Sequence, residues 1–93
     1  MDNSEISGDL SNATLKNSSL LNAKVTGAIL NGADLTGAEL QDADLTNTDL
    51  FGANLVNASL WSTELTDADL YDANLTNANI EGADLSGALL ELT

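Results

Sequence analysis

The stretch Ala33-Asp34-Leu35-Thr36-Gly37, followed at once by Ala38-Glu39-Leu40-Gln41-Asp42 and Ala43-Asp44-Leu45-Thr46-Asn47, decides the fold. Three times in succession a small residue, a polar residue and a leucine precede two residues of the kind found in turns. The register runs outward in both directions. Every fifth position from Leu10 to Leu90 is aliphatic; 15 of these 17 are Leu, and Val25 and Ile80 are the others. The residue two places before each is small: Ala at 13 of the 17, and Gly8, Ser18, Thr48 and Thr63 at the rest. A chain held open by its own charge has no physical reason to keep such a register, so we read a packed repeat.

A period of five excludes both common elements. In an α-helix five residues advance about 500°, so the leucines would scatter around the cylinder and form no stripe. In a continuous strand side chains alternate, and five is odd, so successive leucines would point to opposite faces. Within one pentad the small residue and the leucine are two apart and share a face. Bending the chain once per pentad keeps all of them inward, and repeated bends of one sense wind a solenoid. The two residues after each leucine form the corner. They have corner chemistry: Gly27, Gly32, Gly37, Gly52, Gly82 and Gly87, with Asn12, Asn17, Asn22, Asn47, Asn57 and Asn77. The residue between the small one and the leucine points outward and is mostly polar. Bending alone leaves the number of sides open, since a three-sided coil satisfies it as well as a four-sided one.

Pentads such as Ala33-Asp34-Leu35-Thr36-Gly37, Ala53-Asn54-Leu55-Val56-Asn57 and Ala83-Asp84-Leu85-Ser86-Gly87 resemble the A(D/N)LXX motif of the pentapeptide repeat family, over about residues 8–92. The resemblance implies an all-β solenoid: a right-handed quadrilateral β-helix of about four coils, with four pentads in each. Residues 20 apart would then stack in columns, and a strand spacing of roughly 4.8 Å would make the rod about 20 Å tall. Lys24-Val25, Ala28-Ile29-Leu30 and Ala88-Leu89-Leu90 depart from the motif at the middle position. The pattern fails before Ile6, where Glu5 stands at a place that should be aliphatic. The expected organisation is an irregular segment over residues 1–7 and one repeat domain over residues 8–93.

The 93 residues include 15 Asp and Glu, 2 Lys and Arg, and no His, Cys or Pro, for a net charge of −13. Lacking Cys and His, the chain has no disulfide, thiolate zinc site, cysteine nucleophile or imidazole base. Its charge argues against nucleic acid as a direct partner, because binding phosphate needs Lys and Arg, and against an anionic membrane. Asp42-Ala43-Asp44 and Asp67-Ala68-Asp69 open like a calcium loop, but neither has Gly at the sixth place or Glu at the twelfth. We therefore expect no metal site and no cofactor. No stretch reads as a signal peptide or a membrane span, so the expected compartment is the cytoplasm.

Outward residues stack too. Phe51 and Tyr71 share a column, and Trp61, ten residues from each, lies on the opposite side. Lys24, Asp44, Glu64 and Asp84 form a charged column, and Asp49 stands over Asp69. Like charges at the strand spacing repel, and persist because salt screens them or because their field has a use. Phe51, Tyr71, Trp61, Asp44, Glu64, Asp84, Asp49 and Asp69 are the candidate interaction surface. Thr26, Thr46, Thr66 and Ser86 make a hydroxyl ladder, read as a polar corner with good β-propensity. Solenoids expose their core at their ends. Leu85, Leu89, Leu90 and Leu92 are therefore candidates for a minimal cap or for the contact of an end-to-end, two-fold homodimer.

A filled solenoid without loops offers no concavity of convergent polar groups, and no base stands ready to activate its Ser and Thr hydroxyls. An enzyme is not expected. The expected function is a structural or protein-interaction module that presents an acidic surface to a protein partner. The alternative is DNA mimicry, since some members of the family resemble B-form DNA and occupy the DNA groove of gyrase, inhibiting or protecting it. Duplex DNA carries one charge per about 1.7 Å, roughly 12 over 20 Å, close to this net charge of −13. The length, that of about six base pairs, is short for such a groove.

Overall fold

The computed structural model describes residues 3–91. Parallel bridges join Asp9 to Ile29, Thr14 to Asp34, Ser19 to Glu39 and Lys24 to Asp44, and the offset of 20 recurs as far as Asp69 and Leu89. Twenty residues are four pentads, so each coil has four sides; a three-sided coil would pair residues three pentads apart. The first face carries the middle residues Asp9, Ile29, Asp49, Asp69 and Leu89. The second carries Thr14, Asp34, Asn54 and Asn74, and the third Ser19, Glu39, Ser59 and Asn79. The fourth carries Glu5, Lys24, Asp44, Glu64 and Asp84. Each side contributes a single bridge residue, because the corners take up the residues that would extend it into a strand.

The corners are hydrogen-bonded turns. Ala13 N–H donates to the Leu10 carbonyl at 3.0 Å, and the same contact recurs from Ser18 to Ala88. The third residue of every turn from Asn12 to Gly87 has φ between 57° and 72°, with negative φ before it, which is the type II pattern. Gly and Asn fill most of these places; Asp42, Asp67, Asp72 and Ser62 fill the rest. At Gly52, φ +65, an added Cβ would meet nothing within 4 Å. Gly52→Val therefore isolates backbone strain, and we expect it to cost about 1–2 kcal/mol, with Gly52→Asn costing a few tenths. Urea unfolding of the two variants measures the difference; equal losses would mean that φ is not what selects these residues.

Leucine and alanine fill the interior. Leu50, Leu55, Leu60, Leu65 and Leu70 are fully buried, and so are Ala33, Ala43 and Ala73. Thr48 and Thr63 replace Ala and are also buried; their hydroxyls donate to the carbonyls of Leu45 and Leu40, each at 2.7 Å. A buried hydroxyl satisfied in this way carries little penalty. Burial fades toward both ends: Leu10 and Leu15 are half-buried, and Ile80, Leu89 and Leu90 are exposed.

Residues 3–7, expected to be irregular, continue the winding one residue short. Glu5 bridges Lys24, 19 residues on instead of 20, and Ile6 N–H donates to the Lys24 carbonyl at 2.8 Å, 18 residues on, where Leu10 N–H reaches the Ile29 carbonyl 19 on. The missing residue is lost at the Ser7-Gly8 corner, where Gly8 takes φ +91, outside the range of the other corners. Ile6, not Glu5, thus fills the aliphatic place and packs against the core. The molecule measures 29 × 26 × 22 Å, so the winding makes a squat block rather than an elongated rod.

Candidate functional site

Four of the five backbone N–H groups in a typical pentad bond to backbone. Asp34 donates to Ala13, Leu35 to Asn54, Gly37 to Val56, and Ala38 back to Leu35. The fifth belongs to the first corner residue, here Thr36, and the Asp34 Oδ1 accepts it at 3.0 Å. Every Asp or Asn at a middle position does the same for the residue two places on, at Asp9, Asp44, Asp49, Asn54, Asp69, Asn74, Asn79 and Asp84. This is the Asx turn. The outward aspartates, read above as surface, therefore also complete the backbone hydrogen bonding of the coil.

Corner hydroxyls reinforce the same oxygens. The Ser11 hydroxyl donates to Asp9 at 2.5 Å, and Thr36 and Ser86 donate to Asp34 and Asp84 at 2.6 Å. These hydroxyls, then the backbone N–H groups, hold the Asp9, Asp34 and Asp84 carboxyls below the usual aspartate range. Asp44 is lowered in the same way by Thr46, with a further bond from Thr26 of the preceding coil. The hydroxyl ladder thus serves Asp44 and Asp84 of the fourth face. Because the folded value of Asp44 is depressed, its stabilising contribution is complete above the unfolded value of about 3.9. It is lost as pH falls through the lower folded value. Carboxyl-carbon NMR of Asp44 between about pH 6 and pH 2 should show a midpoint below 3.9; a midpoint above it would contradict the hydrogen bonding. Asp44→Asn keeps the turn and should leave stability nearly unchanged, whereas Asp44→Ala should cost about 1 kcal/mol.

The winding collects charge on one side. The adjacent first and fourth faces hold Asp9, Asp49, Asp69, Glu5, Asp44, Glu64 and Asp84, interrupted by Lys24. The corner between them adds Asp67, and the two corners they share with the second and third faces hold Asp72, Glu91, Asp42 and Glu81. The second and third faces and the corner between them carry Asp34 and Glu39 against Lys16. Bridges bring Lys24, Asp44, Glu64 and Asp84 into one column and join Asp49 to Asp69. Phe51 and Tyr71 stack with ring centroids 6.0 Å apart and planes within 1°. Trp61 is exposed at the diagonally opposite corner. At the C-terminal end Leu85 is half-buried and Leu89 and Leu90 are exposed; Leu92 lies outside the described residues. Among the described residues no group of acidic side chains is arranged to hold a metal, and no helix is long and apolar enough to cross a membrane.

The sequence model of pentapeptide repeats matches residues 8–32, 18–55 and 53–91, with eight copies. This chain belongs to the pentapeptide repeat family. It is similar to a pentapeptide repeat protein of the Arabidopsis thaliana thylakoid lumen, with 34% identity and a TM-score of 0.90 over 94% of this chain and 61% of that one. A pentapeptide repeat protein from Nostoc PCC 7120 is 38% identical, with a TM-score of 0.66 over 89% of this chain and 64% of the other. The pentapeptide repeat protein Rfr23 of the cyanobacterium Cyanothece 51142 is 35% identical, with a TM-score of 0.50 over 89% and 60%. The chain thus spans about three fifths of the length of these solved structures. No curated protein matches it. The outer side chains of this chain are segregated by charge.

Proposed function

We propose that this pentapeptide repeat protein is a non-enzymatic interaction module, a right-handed quadrilateral β-helix that offers its two adjacent acidic faces to a basic protein surface in the cytoplasm. The observation that carries this reading is the one-sidedness of the charge. Solubility needs net charge but gains nothing from gathering it on two faces, whereas a segregated field steers and orients a partner. A photo-crosslinker at Glu64 or Asp49, compared with one at Asn54 or Ser59, tests it in lysate of the source organism. We expect protein adducts from the first pair of positions, weakened by salt; equal adducts from both pairs would overturn the reading.

The match in charge density to duplex DNA favours a second reading, mimicry of DNA toward gyrase. Titration into a gyrase supercoiling assay decides it: no inhibition and no quinolone protection at large molar excess removes it. For assembly we propose an end-to-end homodimer through the C-terminal coil, motivated by the exposure of Ile80, Leu89 and Leu90 at that end. Light scattering at micromolar concentration should give twice the chain mass and Leu90→Asp the single mass; a single mass for the unaltered protein would exclude the dimer.

A further inference from the structure

We infer that the corner between the first and second faces is a docking strip for an extended, arginine-bearing peptide segment. The inference rests on the acidic-face reading above and names the partner class for one edge of it. This corner column runs Ser11, Asn31, Phe51, Tyr71, Glu91. Its two aromatic rings are parallel and 6.0 Å apart, yet 46% and 40% exposed. Each ring follows by two residues an aspartate that is held in place by the ring residue's own backbone. Phe51 N–H donates to Asp49 Oδ1 and Tyr71 N–H to Asp69 Oδ1, both at 3.0 Å. The Asn31 amide donates to Asp49 Oδ2 at 3.2 Å, fixing that carboxylate from a second direction. The Tyr71 hydroxyl bonds to Glu91, one coil on, with the Asp72 charge close by.

The result is a repeated pair of one flat ring and one anchored carboxylate, set at the coil spacing. Guanidinium matches both members at once, stacking on an aromatic face while its N–H fork meets a carboxylate. Ammonium satisfies only the charge. The rings stack on each other with 6.0 Å between centroids and leave only their outer faces for stacking, so guanidinium planes on the two rings would stand about 13 Å apart, the rise of four residues in an extended chain. A segment lying along the solenoid axis with arginines four residues apart would place one guanidinium at each ring. Trp61 supplies an internal control, for two residues before it stands Ser59.

The test is a backbone amide NMR titration with a capped Arg-Ser-Arg-Ser-Arg peptide at near-physiological salt, beside its lysine counterpart. We expect saturable shifts at Phe51, Asp69 and Tyr71 but not at Trp61, and weaker binding of the lysine peptide. Phe51→Ser/Tyr71→Ser should weaken the arginine peptide by about fivefold or more. Asp49→Asn/Asp69→Asn should weaken it as well while keeping both turns, as Asn54 and Asn74 do, which guards against a loss caused by unfolding. Shifts spread evenly over the first and fourth faces, equal for both peptides and unchanged in the aromatic variant, would overturn the strip and leave the acidic-face reading standing. Binding of neither peptide would overturn the strip and count against the broader reading too.

Discussion

Leu50→Ala should destabilise the protein by about 3–5 kcal/mol, the upper part of the range for truncating a core leucine. Leu50 is wholly buried in a column with Leu30 and Leu70, which are buried above and below it. The coils around the resulting cavity cannot close into it. Leu30 N–H is tied to the Asp49 carbonyl at 2.7 Å and Leu50 N–H to the Asp69 carbonyl at 2.8 Å, so the coil spacing is fixed by backbone bonds on every side. A site that cannot collapse retains its cavity and incurs the full cost. The same truncation at Leu90, which is 50% exposed, should cost under about 1 kcal/mol. Urea unfolding of both variants gives the comparison; equal losses would mean that the interior is not graded from the middle coils to the ends.

Overfilling the small column should cost nearly as much. Ala53 lies wholly inside, two residues before Leu55 and pointing the same way. Ala53→Leu adds three carbons to a coil whose cross-section is already filled and whose backbone is fixed, and we expect a loss of about 2–3 kcal/mol. For a domain of this size that is a fall in melting temperature of roughly 10–20 °C. The chain itself shows the tolerated size, because Thr48 and Thr63 occupy the equivalent small place on two other sides of the coil with their hydroxyls bonded to carbonyls. Ala53→Thr should therefore remain within about 1 kcal/mol of the parent. Thermal unfolding by circular dichroism distinguishes the two variants; a loss for Thr as large as for Leu would mean that any branching, not volume, is excluded.

The interior was legible in the sequence because one residue type recurs at one phase: where Leu35 and Leu40 point, all their equivalents point. The corner glycines and asparagines were legible for the same reason, and Asp42, Asp67, Asp72 and Ser62 adopt the same left-handed conformation at the same phase, although Asp and Ser enter it less readily than Gly or Asn. The number of sides was not readable from a period of five, and came only from the resemblance; the pairing of Asp34 with Asn54 decides it. The role of Asp34 toward Thr36 was missed because a spacing of two within a pentad reads as an exposed polar residue, and only the count of backbone donors shows what it bonds. Glu5 was placed out of pattern because the frame was counted in fives across a corner that has lost a residue. The one-sided charge needed the 20-residue register before the scattered aspartates could be assigned to faces.

The offset of 20 between bridged residues separates two kinds of sequence change that look alike. Duplicating a whole coil leaves each later side chain above the column it occupied before, so the molecule grows without altering its pattern. Duplicating a single pentad is equally harmless to folding, since every leucine still points inward and every corner still turns. It nevertheless rotates everything after it by a quarter turn. Placed between Phe51 and Tyr71, such a duplication would send the two rings to neighbouring corners and carry the fourth-face acids of the later coils round to another side. Inheritance in this architecture therefore has a phase as well as a length, and two chains with nearly identical composition can present unrelated surfaces.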